Sequence, residues 1–405
     1  MRYLLLLPGL ALAGPAGADD WPCWRGPHHD GISRETGLLK AWPPQGPKVL
    51  WRGDLAGGYS SVVVAGGRLF TQAKDGNEDL VLGFDARTGA KLWEHRYPCA
   101  YAHYPSLDKR FLTGPKATPA VDGDRVYATG NTGRLQCLDA RSGQLVWERD
   151  LLKLANRPCP EYGYCNSPLV IGDLLFVHPG GGKGNSVAAL DKRDGRVVWQ
   201  ALGDRIGWAT PVPIRVAGEA QVVYFTGQGA VGVAPADGRL RWRFDWKTDF
   251  DINAATPVYA DGCLFLSSNY GRGGVLLRLK AGGDPEVIWK SRAMENHFST
   301  SVLYRGHLYG FSTSRLRCVG FKTGAVKWDK AGLGRGSLVV ADGRLIVLSE
   351  QGQLVLADAT PEGYRERARW RALDGTCWSV PVLANGRLYL RNERRLLALD
   401  LVNPR

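Results

Sequence analysis

The sequence predicts an all-β protein, an eight-bladed β-propeller of four-stranded antiparallel blades. Two regularities support this prediction: evenly spaced tryptophans, and short alternating strands separated by glycine-containing turns. Eight of the 14 tryptophans recur at intervals between 39 residues (Trp289 to Trp328) and 54 residues (Trp93 to Trp147). These intervals lie near the period of about 40–45 residues for a four-stranded blade. The eight are Trp51, Trp93, Trp147, Trp199, Trp242, Trp289, Trp328 and Trp370.

Most of these tryptophans end the same phrase, in which an aspartate precedes a glycine turn and a short strand. The clearest copies are D-A-R-T-G-A-K-L-W (Asp85–Trp93), D-A-R-S-G-Q-L-V-W (Asp139–Trp147) and D-K-R-D-G-R-V-V-W (Asp191–Trp199). The aspartate can cap the turn through backbone N–H groups, and glycine permits its tight geometry. Tryptophan is large enough to fill the gap between neighbouring outer strands and still donates a hydrogen bond. We therefore predict that all eight tryptophans hold the blades together and are roughly equivalent.

Each unit between these tryptophans has the pattern of antiparallel hairpins. A strand with small polar residues, Ala117–Val121, leads through a D-G-D-R turn into the alternating strand Val126–Thr129. Short alternating runs divided by Gly, Asp and Asn turns are typical of hairpins. Seven units follow one another: Tyr59–Trp93, Lys116–Trp147, Cys165–Trp199, Trp208–Trp242, Ala254–Trp289, Phe298–Trp328 and Arg335–Trp370.

The eighth blade is predicted to use both ends of the chain. Cys377–Leu401 supplies three strands without a following tryptophan, while Lys48–Trp51 is a strand without a unit of its own. Pairing the two segments in one blade removes an open sheet edge. We therefore divide the chain into a signal peptide (residues 1–18), an N-terminal extension (19–46) and a single propeller domain (47–405).

The first residues have the pattern of an export signal. Met-Arg-Tyr is followed by short apolar runs and by Ala16-Gly17-Ala18, which has the form of a cleavage site. The apolar part is short for a membrane span, and a retained anchor is the alternative. Cys23 in D-W-P-C lacks the neighbours of a lipoprotein cysteine. We expect a monomer in the periplasm or outside the cell, without a transmembrane segment.

Export would permit disulfides among the eight cysteines. Cys99, Cys159 and Cys165 lie in or beside the two longest predicted inter-blade loops, and Cys159 with Cys165 is the candidate pair because they are nearest in sequence. Spacing alone leaves the pairing open. No C-x-x-C pair or histidine cluster indicates a metal site, and no C-x-x-C-H motif indicates covalent haem.

The net charge of +13 permits two interpretations. A basic surface favours polyanions or anionic membranes, whereas arginines distributed over all solvent faces favour no particular partner. The charges are spread along the chain without a run of five or more. We therefore favour the second interpretation and expect no nucleic-acid partner.

A candidate binding site emerges when the inner strands are aligned on their turns. Seven of the eight aligned positions carry hydroxyls: Ser61, Thr118, Ser167, Thr210, Thr256, Thr300 and Ser337, with Val380 at the eighth. Two residues earlier, six side chains form a candidate channel mouth: Tyr59, Lys116, Trp208, Phe298, Arg335 and Trp378. Aromatic rings beside two cations could hold a planar or anionic ligand. The hydroxyls fit backbone hydrogen bonding better than ligand binding, while for the mouth both interpretations stay open.

The connection from His95 to Pro115 is a second candidate on the same predicted face. It carries aromatic and cationic side chains suited to sugars, peptides or anionic ligands, among them His103, Tyr104, Lys109 and Arg110. The alternative is a loop that packs its own aromatic rings against the propeller. Because no Ser-His-Asp or Cys-His-Asp set is readable in the sequence, we predict no catalytic residue and no metal ligand.

The repeated phrases resemble the tryptophan-docking repeats of the PQQ-like eight-bladed propellers, from Trp51 to Leu401. The resemblance implies one of two branches. One comprises quinoprotein alcohol dehydrogenases, which hold pyrroloquinoline quinone (PQQ) and calcium over the channel; the other comprises non-enzymatic scaffolds typified by BamB. The chain lacks the adjacent cysteine pair and the long inserted loops of the dehydrogenases, and in length and repeat density it resembles the BamB-like branch. Its opening, Trp21–Pro27 followed by Asp30-Gly31, is similar to a large group of secreted propellers.

These observations together predict a secreted or periplasmic, non-catalytic binding or scaffold propeller. We expect a protein or carbohydrate partner, or a small ligand, at the loop face, and no cofactor. The alternatives are a PQQ-dependent oxidoreductase of reduced form, with PQQ and calcium, and a carbohydrate-binding propeller.

Overall fold

The computed structural model describes residues 20–101 and 114–402. Within these residues the strands form eight sheets, and the sheets are the blades of an eight-bladed propeller. Each blade has four antiparallel strands, which we name a to d from the central channel outward. The predicted fold class is therefore confirmed. No helix in the two described stretches is long and apolar enough to cross a membrane.

The strand bounds repeat the same pattern in every blade. In blade 1, strands a to d are Val63–Ala65, Arg68–Asp75, Glu78–Asp85 and Lys91–Pro98, and in blade 2 they are Ala120–Asp122, Arg125–Thr129, Arg134–Asp139 and Leu145–Asp150. In blade 3 they are Leu169–Ile171, Leu174–Val177, Val187–Asp191 and Val197–Ala201, and in blade 4 they are Val212–Val216, Glu219–Phe225, Gly229–Val233 and Leu240–Asp245. In blade 5 they are Val258–Ala260, Cys263–Ser268, Gly273–Arg278 and Glu286–Ser291. In blade 6 they are Val302–Tyr304, His307–Ser312, Arg315–Gly320 and Val326–Lys330, and in blade 7 they are Ser337–Ala341, Arg344–Leu348, Gln353–Asp358 and Glu366–Arg371.

Blade 8 joins the two ends of the chain, as predicted. Its strands a to c are Val382–Ala384, Arg387–Arg391 and Arg395–Asp400, and its strand d is Val49–Asp54. Strand d pairs antiparallel with strand c, with Trp51 opposite Ala398. This pairing closes the ring, so that no blade is left with a missing outer strand.

Three short elements lie outside the blades. Ile32–Ser33 pairs in parallel with strand a of blade 7. The helix Leu151–Ala155 follows blade 2 and is capped by Asp150, whose side chain accepts from the N–H groups of Leu152 and Lys153. A 3-10 turn, Asp249–Asp251, follows blade 4.

Every blade has a β-bulge between strands c and d, which the sequence phrase did not predict. In seven blades the bulge directly precedes the tryptophan, whereas in blade 7 it lies at Arg367, three residues before Trp370. In blade 2, Leu145 pairs with Leu138 and Trp147 pairs with Cys137, which leaves Val146 as the extra residue. The pairing of strands c and d shifts at the equivalent place in the six other blades of this kind. A bulge bends the strand locally and increases its twist. The bend re-aims the indole ring from the sheet face toward the neighbouring blade.

Six of the tryptophans make the same contact with the next blade. Each donates its indole N–H to a backbone carbonyl there, at 2.7–3.1 Å: Trp51 to Ala86, Trp93 to Ala140, Trp147 to Lys192, Trp199 to Pro235, Trp289 to Phe321 and Trp328 to Thr360. The ring covers the turn of the next blade. A Cβ on Gly143, for example, would lie 2.5 Å from the ring of Trp93. Glycine is therefore required there by the close approach as well as by its positive φ of 72°.

The remaining two tryptophans differ, so the expected equivalence of all eight is wrong. Trp242 donates to the side-chain oxygen of Gln221 in its own blade. Trp370 is half-buried and stands against the N-terminal extension, where a Cβ on Gly46 would lie 2.2 Å from its ring. Both departures have a sequence cause in the blade that follows the tryptophan. The segment after Lys280 in blade 5 lacks the regular D-x-x-x-G turn, and blade 8 has no turn between strands c and d because these strands come from opposite ends of the chain.

Ring closure by the N-terminal strand predicts a measurable loss of stability. Removing residues 20–54 takes away strand d of blade 8 together with Trp51, whereas removing residues 20–47 leaves that strand in place. We expect the longer deletion to lower the free energy of unfolding by at least about 3 kcal/mol more than the shorter one, as for the loss of a large core side chain. Urea denaturation of the two variants measures the difference, and equal midpoints would contradict closure through this strand.

The docking contact predicts a graded response at one position. Trp147→Ala should destabilise the protein by about 3–5 kcal/mol, because a large and nearly buried side chain is lost from an inter-blade core. Trp147→Phe keeps an aromatic ring and loses the hydrogen bond to Lys192, which leaves a smaller defect of about 1–3 kcal/mol. The measurement is again urea denaturation. A Trp147→Ala variant as stable as the parent would show that the indole does not hold blades 2 and 3 together.

Candidate functional site

The residues just before each strand a line a cavity of about 350 Å³ at one end of the channel. The structure brings together all six residues of the predicted mouth, at blades 1, 2, 4, 6, 7 and 8. The equivalent positions of blades 3 and 5, Cys165 and Ala254, line it as well. We call this cavity the cup. The alignment of inner strands in the sequence thus located every one of the eight positions that surround it.

Aromatic rings form the largest part of the cup wall. Trp378 lies at its centre, with ring centroids of Tyr59 and Phe298 each 5.1 Å away. The row continues from Phe298 through His297 to Tyr270. Such tilted pairs are favourable beyond the area they bury, and the row offers a continuous apolar surface to a ligand.

A second aromatic pair faces the cup from blade 4. The rings of Trp208 and Tyr162 meet edge-on at 5.4 Å, and the indole N–H of Trp208 donates to the carbonyl of Gly163. Tyr162 belongs to the connection between blades 2 and 3 and was not among the predicted site residues. The sequence alignment could not identify Tyr162, because a residue in an irregular loop has no equivalent position among the aligned inner strands.

Two cations belong to the cup, and they differ in how they are held. The Nζ of Lys116 donates to the carbonyl of Tyr162 at 3.3 Å and lies 5.3 Å from the ring centroid of Tyr101. Arg335 is exposed, and its guanidinium forms no ion pair with the described residues. Glu350 stands behind these groups: its carboxylate accepts from the indole N–H of Trp378 and from the backbone N–H of Arg335.

A third cation lies beneath the mouth between blades 8 and 1. Arg391 is 1 % exposed and donates to the carbonyls of Ser60 and Gln72, each at 2.7 Å. Its partners are neutral groups, and burial lowers its pKa to about 9. Protonated at pH 7, this guanidinium adds positive potential on the side of the cup where Tyr59 stands.

The ring of hydroxyls below the mouth connects neighbouring inner strands. The backbone N–H of Thr118 donates to Ser167, that of Ser167 to Thr210, and that of Thr256 to Thr300. The remaining bonds run from Ser61 N–H to Thr118, from the Ser61 hydroxyl to the Val380 carbonyl and from the Ser337 hydroxyl to the Ser379 carbonyl. These contacts support the structural interpretation, since the hydroxyls satisfy backbone groups that a strand at the channel leaves unpaired.

The N-terminal extension closes the far end of the channel. Trp21 exchanges two backbone hydrogen bonds with Val64 in blade 1, and Pro22 accepts from Val121 in blade 2. Trp24 then reaches blade 5, where its indole N–H donates to Thr256 at 2.8 Å. In a ring of eight, blades 1 and 5 lie opposite each other, so the segment crosses the channel. Trp24 lines the cup and forms its floor.

A buried arginine fixes this crossing segment. Arg25 is 6 % exposed and donates to the carbonyls of His29, Asp30 and Ser301, the last in blade 6. Burial lowers its pKa to about 10, so it stays charged at pH 7. Gly26 makes the turn with a φ of 80°, and a Cβ there would lie 3.0 Å from the ring of Trp21. The W-P-C-W-R-G-P motif therefore has a structural purpose that spacing alone did not reveal.

The described lining of the cup holds one histidine, and it is neutral at pH 7. His297 lies between Tyr270 and Phe298, and its Nε2 is 2.9 Å from the Tyr270 hydroxyl. Its Nδ1 is buried without a hydrogen-bond partner among the described residues. Burial, and next the positive charge of Arg335, lower its pKa to about 4. A nearby anion would oppose both effects.

The candidate loop residues His103, Tyr104, Lys109 and Arg110 lie outside the described residues.

The candidate Cys159–Cys165 disulfide is absent, and both residues are free thiols. The sulfur of Cys159 contacts the carbonyl of Asn131, whereas that of Cys165 contacts the carbonyl of Tyr162 and lines the cup. The two thiols therefore face different surroundings despite their proximity in sequence.

The described lining of the cup offers few groups for nucleophilic or acid–base chemistry. Its described lining contains no carboxylate, and its thiol, Cys165, has a pKa raised by burial. A protonated thiol is a poor nucleophile, and a neutral His297 without a carboxylate partner is not the oriented base of a triad. No group of three His, Cys, Asp or Glu residues within the described stretches could hold a metal ion.

Comparison with known proteins gives a consistent picture. A family model described as "Outer membrane protein assembly factor BamB" matches residues 32–103, 77–330 and 312–403. The chain is 23% identical over 285 residues to the outer membrane protein assembly factor BamB of Yersinia pestis, covering 67% of this chain and 70% of that protein. It is 27% identical over 212 residues to the dehydrogenase subunit of a quinone alcohol dehydrogenase from Acetobacter aceti, covering 46% of this chain and 26% of that one.

A solved structure agrees in fold. The crystal structure of BamB from Moraxella catarrhalis superposes with a TM-score of 0.63 at 16% identity, covering 87% of this chain and 100% of that chain. At this identity the likeness concerns the arrangement of blades alone.

The proximity of Arg335 and His297 predicts a shift that can be measured directly. Arg335→Gln removes a positive charge that disfavours the imidazolium, so the pKa of His297 should rise from about 4 toward its ordinary value. Arg87→Gln is the matched control, because Arg87 is an exposed arginine in a turn between strands c and d of blade 1. NMR titration of the imidazole resonances reads both variants. An unmoved His297 in Arg335→Gln would show that the two groups do not interact.

Proposed function

Because the chain belongs to the family of PQQ-like propellers represented by BamB, we propose that it is a non-catalytic binding or scaffold protein. The cup is its binding site. One observation carries this proposal: eight blades converge on an open, aromatic-lined cavity whose far end the protein's own extension closes. A rigid propeller holds the loops around such a cavity in place, as scaffolds do for binding surfaces.

The composition of the cup supports binding. Its volume of about 350 Å³ falls in the range of about 300–1,000 Å³ for ligand sites. Tryptophan, tyrosine and arginine, which dominate its wall and rim, are the residue types enriched at the energetic centres of protein interfaces. The few polar side chains of the lining are mostly bonded to backbone groups, which leaves aromatic packing and the two cations to select a partner.

A protein is the favoured partner. The relatives that match most of the chain are named outer membrane protein assembly factors, and this supports a protein-binding role and a location outside the cytoplasm, in keeping with the export signal expected at residues 1–18. A carbohydrate partner ranks lower, because a sugar needs several free hydrogen-bonding side chains and the hydroxyl ring is already engaged.

A quinone-dependent oxidoreductase is the second candidate. The aromatic wall and the cations of the cup would suit a planar polycarboxylate such as PQQ, and quinone dehydrogenases match part of the chain. The residues of the cup do not fit the calcium ion that accompanies PQQ. Hard cations take oxygen ligands such as carboxylates, and the described lining offers no carboxylate. The residues therefore do not support a redox step.

Photocrosslinking in the native producer tests the binding role. A benzoyl-phenylalanine at Phe250, on the loop that follows blade 4, should crosslink to a protein partner, because this side chain is 67% exposed and stands two residues before Ile252, which lines the cup. The same group at Leu145, an exposed residue on the outer edge of blade 2, should give little product. Adding Lys116→Ala and Arg335→Ala should abolish the Phe250 product, read by gel shift and mass spectrometry.

Two outcomes would overturn the assignment. A Phe250 product that persists in the Lys116→Ala/Arg335→Ala variant would remove the cup from the binding site and move the interface to the outer loops. Purified protein that retains PQQ absorbance after incubation with PQQ and calcium, followed by desalting, and that then reduces a dye with an alcohol would replace scaffolding by redox chemistry.

A further inference from the structure

A buried histidine lies at the contact between blades 3 and 4. His178 directly follows strand b of blade 3, is 1 % exposed and packs edge-on against Tyr224 of blade 4, with the ring centroids 5.7 Å apart. Neither ring nitrogen has a hydrogen-bond partner among the described residues. A neutral imidazole suits this place, whereas a buried charge without a partner is costly.

The equivalent position in other blades is occupied in two ways. It lies two residues after the strand b residue that is in register with the tryptophan, and it carries Gln72 in blade 1 and Arg391 in blade 8. Both side chains donate to backbone carbonyls of the following blade. Blades 4 and 6 carry the buried rings of Phe225 and Phe311 instead. His178 is polar like the first pair but packs like the second, so its blade contact holds only while the ring is uncharged.

Among the described residues, the charged groups near His178 offer it no partner. Asp204, in the connection between blades 3 and 4, accepts from both terminal nitrogens of Arg243, and Arg157 adds a second positive charge. Burial, opposed by Asp204 and reinforced by Arg157, lowers the pKa of His178 to about 4. Stability that depends on the neutral ring is therefore complete above the ordinary pKa of 6.5 and declines as the pH falls from there toward 4.

The residue after this histidine is connected to the cup. The carbonyl of Pro179 accepts from the hydroxyl of Tyr164 at 2.9 Å, and Tyr164 is 1 % exposed. Tyr164 lies between Gly163, whose carbonyl accepts from the indole N–H of Trp208, and Cys165, which lines the cup. A displacement of Pro179 would remove the hydrogen bond that positions this part of the cup wall.

The turn that follows Pro179 offers a route for water. Residues 180–186 include four glycines and no apolar side chain, and Lys183 at the tip is exposed with a φ of 53°. Segments without buried apolar side chains are the first parts of a fold to open. Opening here would bring water to the buried histidine without separating the blades.

We propose that protonation of His178 opens the end of strand b in blade 3 and releases the wall of the cup formed by Tyr162 and Trp208. The imidazolium leaves its contact with Tyr224 and reaches water through residues 180–186. This opening goes beyond the proposed binding function, because it follows from the packing of blades 3 and 4. Its consequence, the loss of a bound partner in acid, rests on that function.

Hydrogen exchange read by mass spectrometry tests the opening. The main variant is His178→Phe, because phenylalanine occupies the equivalent position in blades 4 and 6 and does not titrate. The matched control is His28→Gln, at an exposed histidine of the N-terminal extension. After correction for the intrinsic pH dependence of exchange, the protection of residues 157–167 and 178–186 should fall about tenfold between pH 6.5 and pH 5 in the parent and in the control, since opening takes up one proton. In His178→Phe it should fall less than about twofold.

A second variant guards against a folding defect. His178→Gln places here the residue that blade 1 carries at Gln72, and urea denaturation at pH 7 shows which of the two variants is folded. Either folded variant should lose the acid-dependent exchange. Acid-dependent exchange that persists in a folded variant, or that is the same in residues 302–320 of blade 6 as in the two segments, would overturn the proposal.

The two proposals fail in different ways. If exchange depends on His178 as expected while the Phe250 crosslink ignores Lys116 and Arg335, the acid-sensitive opening stands and the cup is not the binding site. If the crosslink depends on these cations while exchange in the two segments ignores pH, the binding function stands and the opening is wrong.

Discussion

The indole that reaches across from one blade to the next is the interaction on which the other features depend. It joins neighbouring blades by apolar burial and by a hydrogen bond to a backbone carbonyl, as Trp93 does with Ala140. Repeated at six of the eight positions around the ring, this contact makes the orientation of each of those blades depend on the turn of its neighbour. The position of each strand a, and hence the width of the channel, follows from this spacing. A cup lined from eight blades can exist only because the outer contacts are made.

The site itself combines two kinds of constraint. The walls come from regular strand positions, so that a mouth residue such as Trp378 is fixed by the fold. The floor comes from an irregular segment that Arg25 holds through three carbonyl groups. The base of the cup is therefore fixed by several hydrogen bonds, whereas at its rim Tyr162 and Tyr270 lie in connections between strands. This arrangement suits a binding site in which the loops determine which partner binds and the inner strands determine the depth of the cavity.

Periodicity made the fold and the mouth predictable from sequence. Strand alternation and the tryptophan interval act locally in every unit, so aligning the units is enough to place Tyr59 and Arg335 at the same end of the channel. The floor was not predictable, because Trp24 meets Thr256 across 232 positions of sequence and no repeat relates the two. Trp242 and Trp370 were missed for a related reason: their partners depend on a turn that two blades lack. The bulges were not predicted because they fall near the start of strand d, as between Leu145 and Trp147, where too few residues precede the shift to show a change in alternation.

Blade 8 pairs the beginning of the chain with its end, and this pairing affects the order in which contacts form during folding. The pairing of Trp51 with Ala398 is among the most distant contacts the chain can make, and contacts of this kind form late because their loop-closure entropy must first be overcome. Until they form, blade 8 lacks its outer strand, the ring is open between blades 8 and 1, and the extension has no closed channel to cross. The cup therefore comes into being only with the last step of folding, so that a partially folded or truncated molecule cannot present a finished binding site.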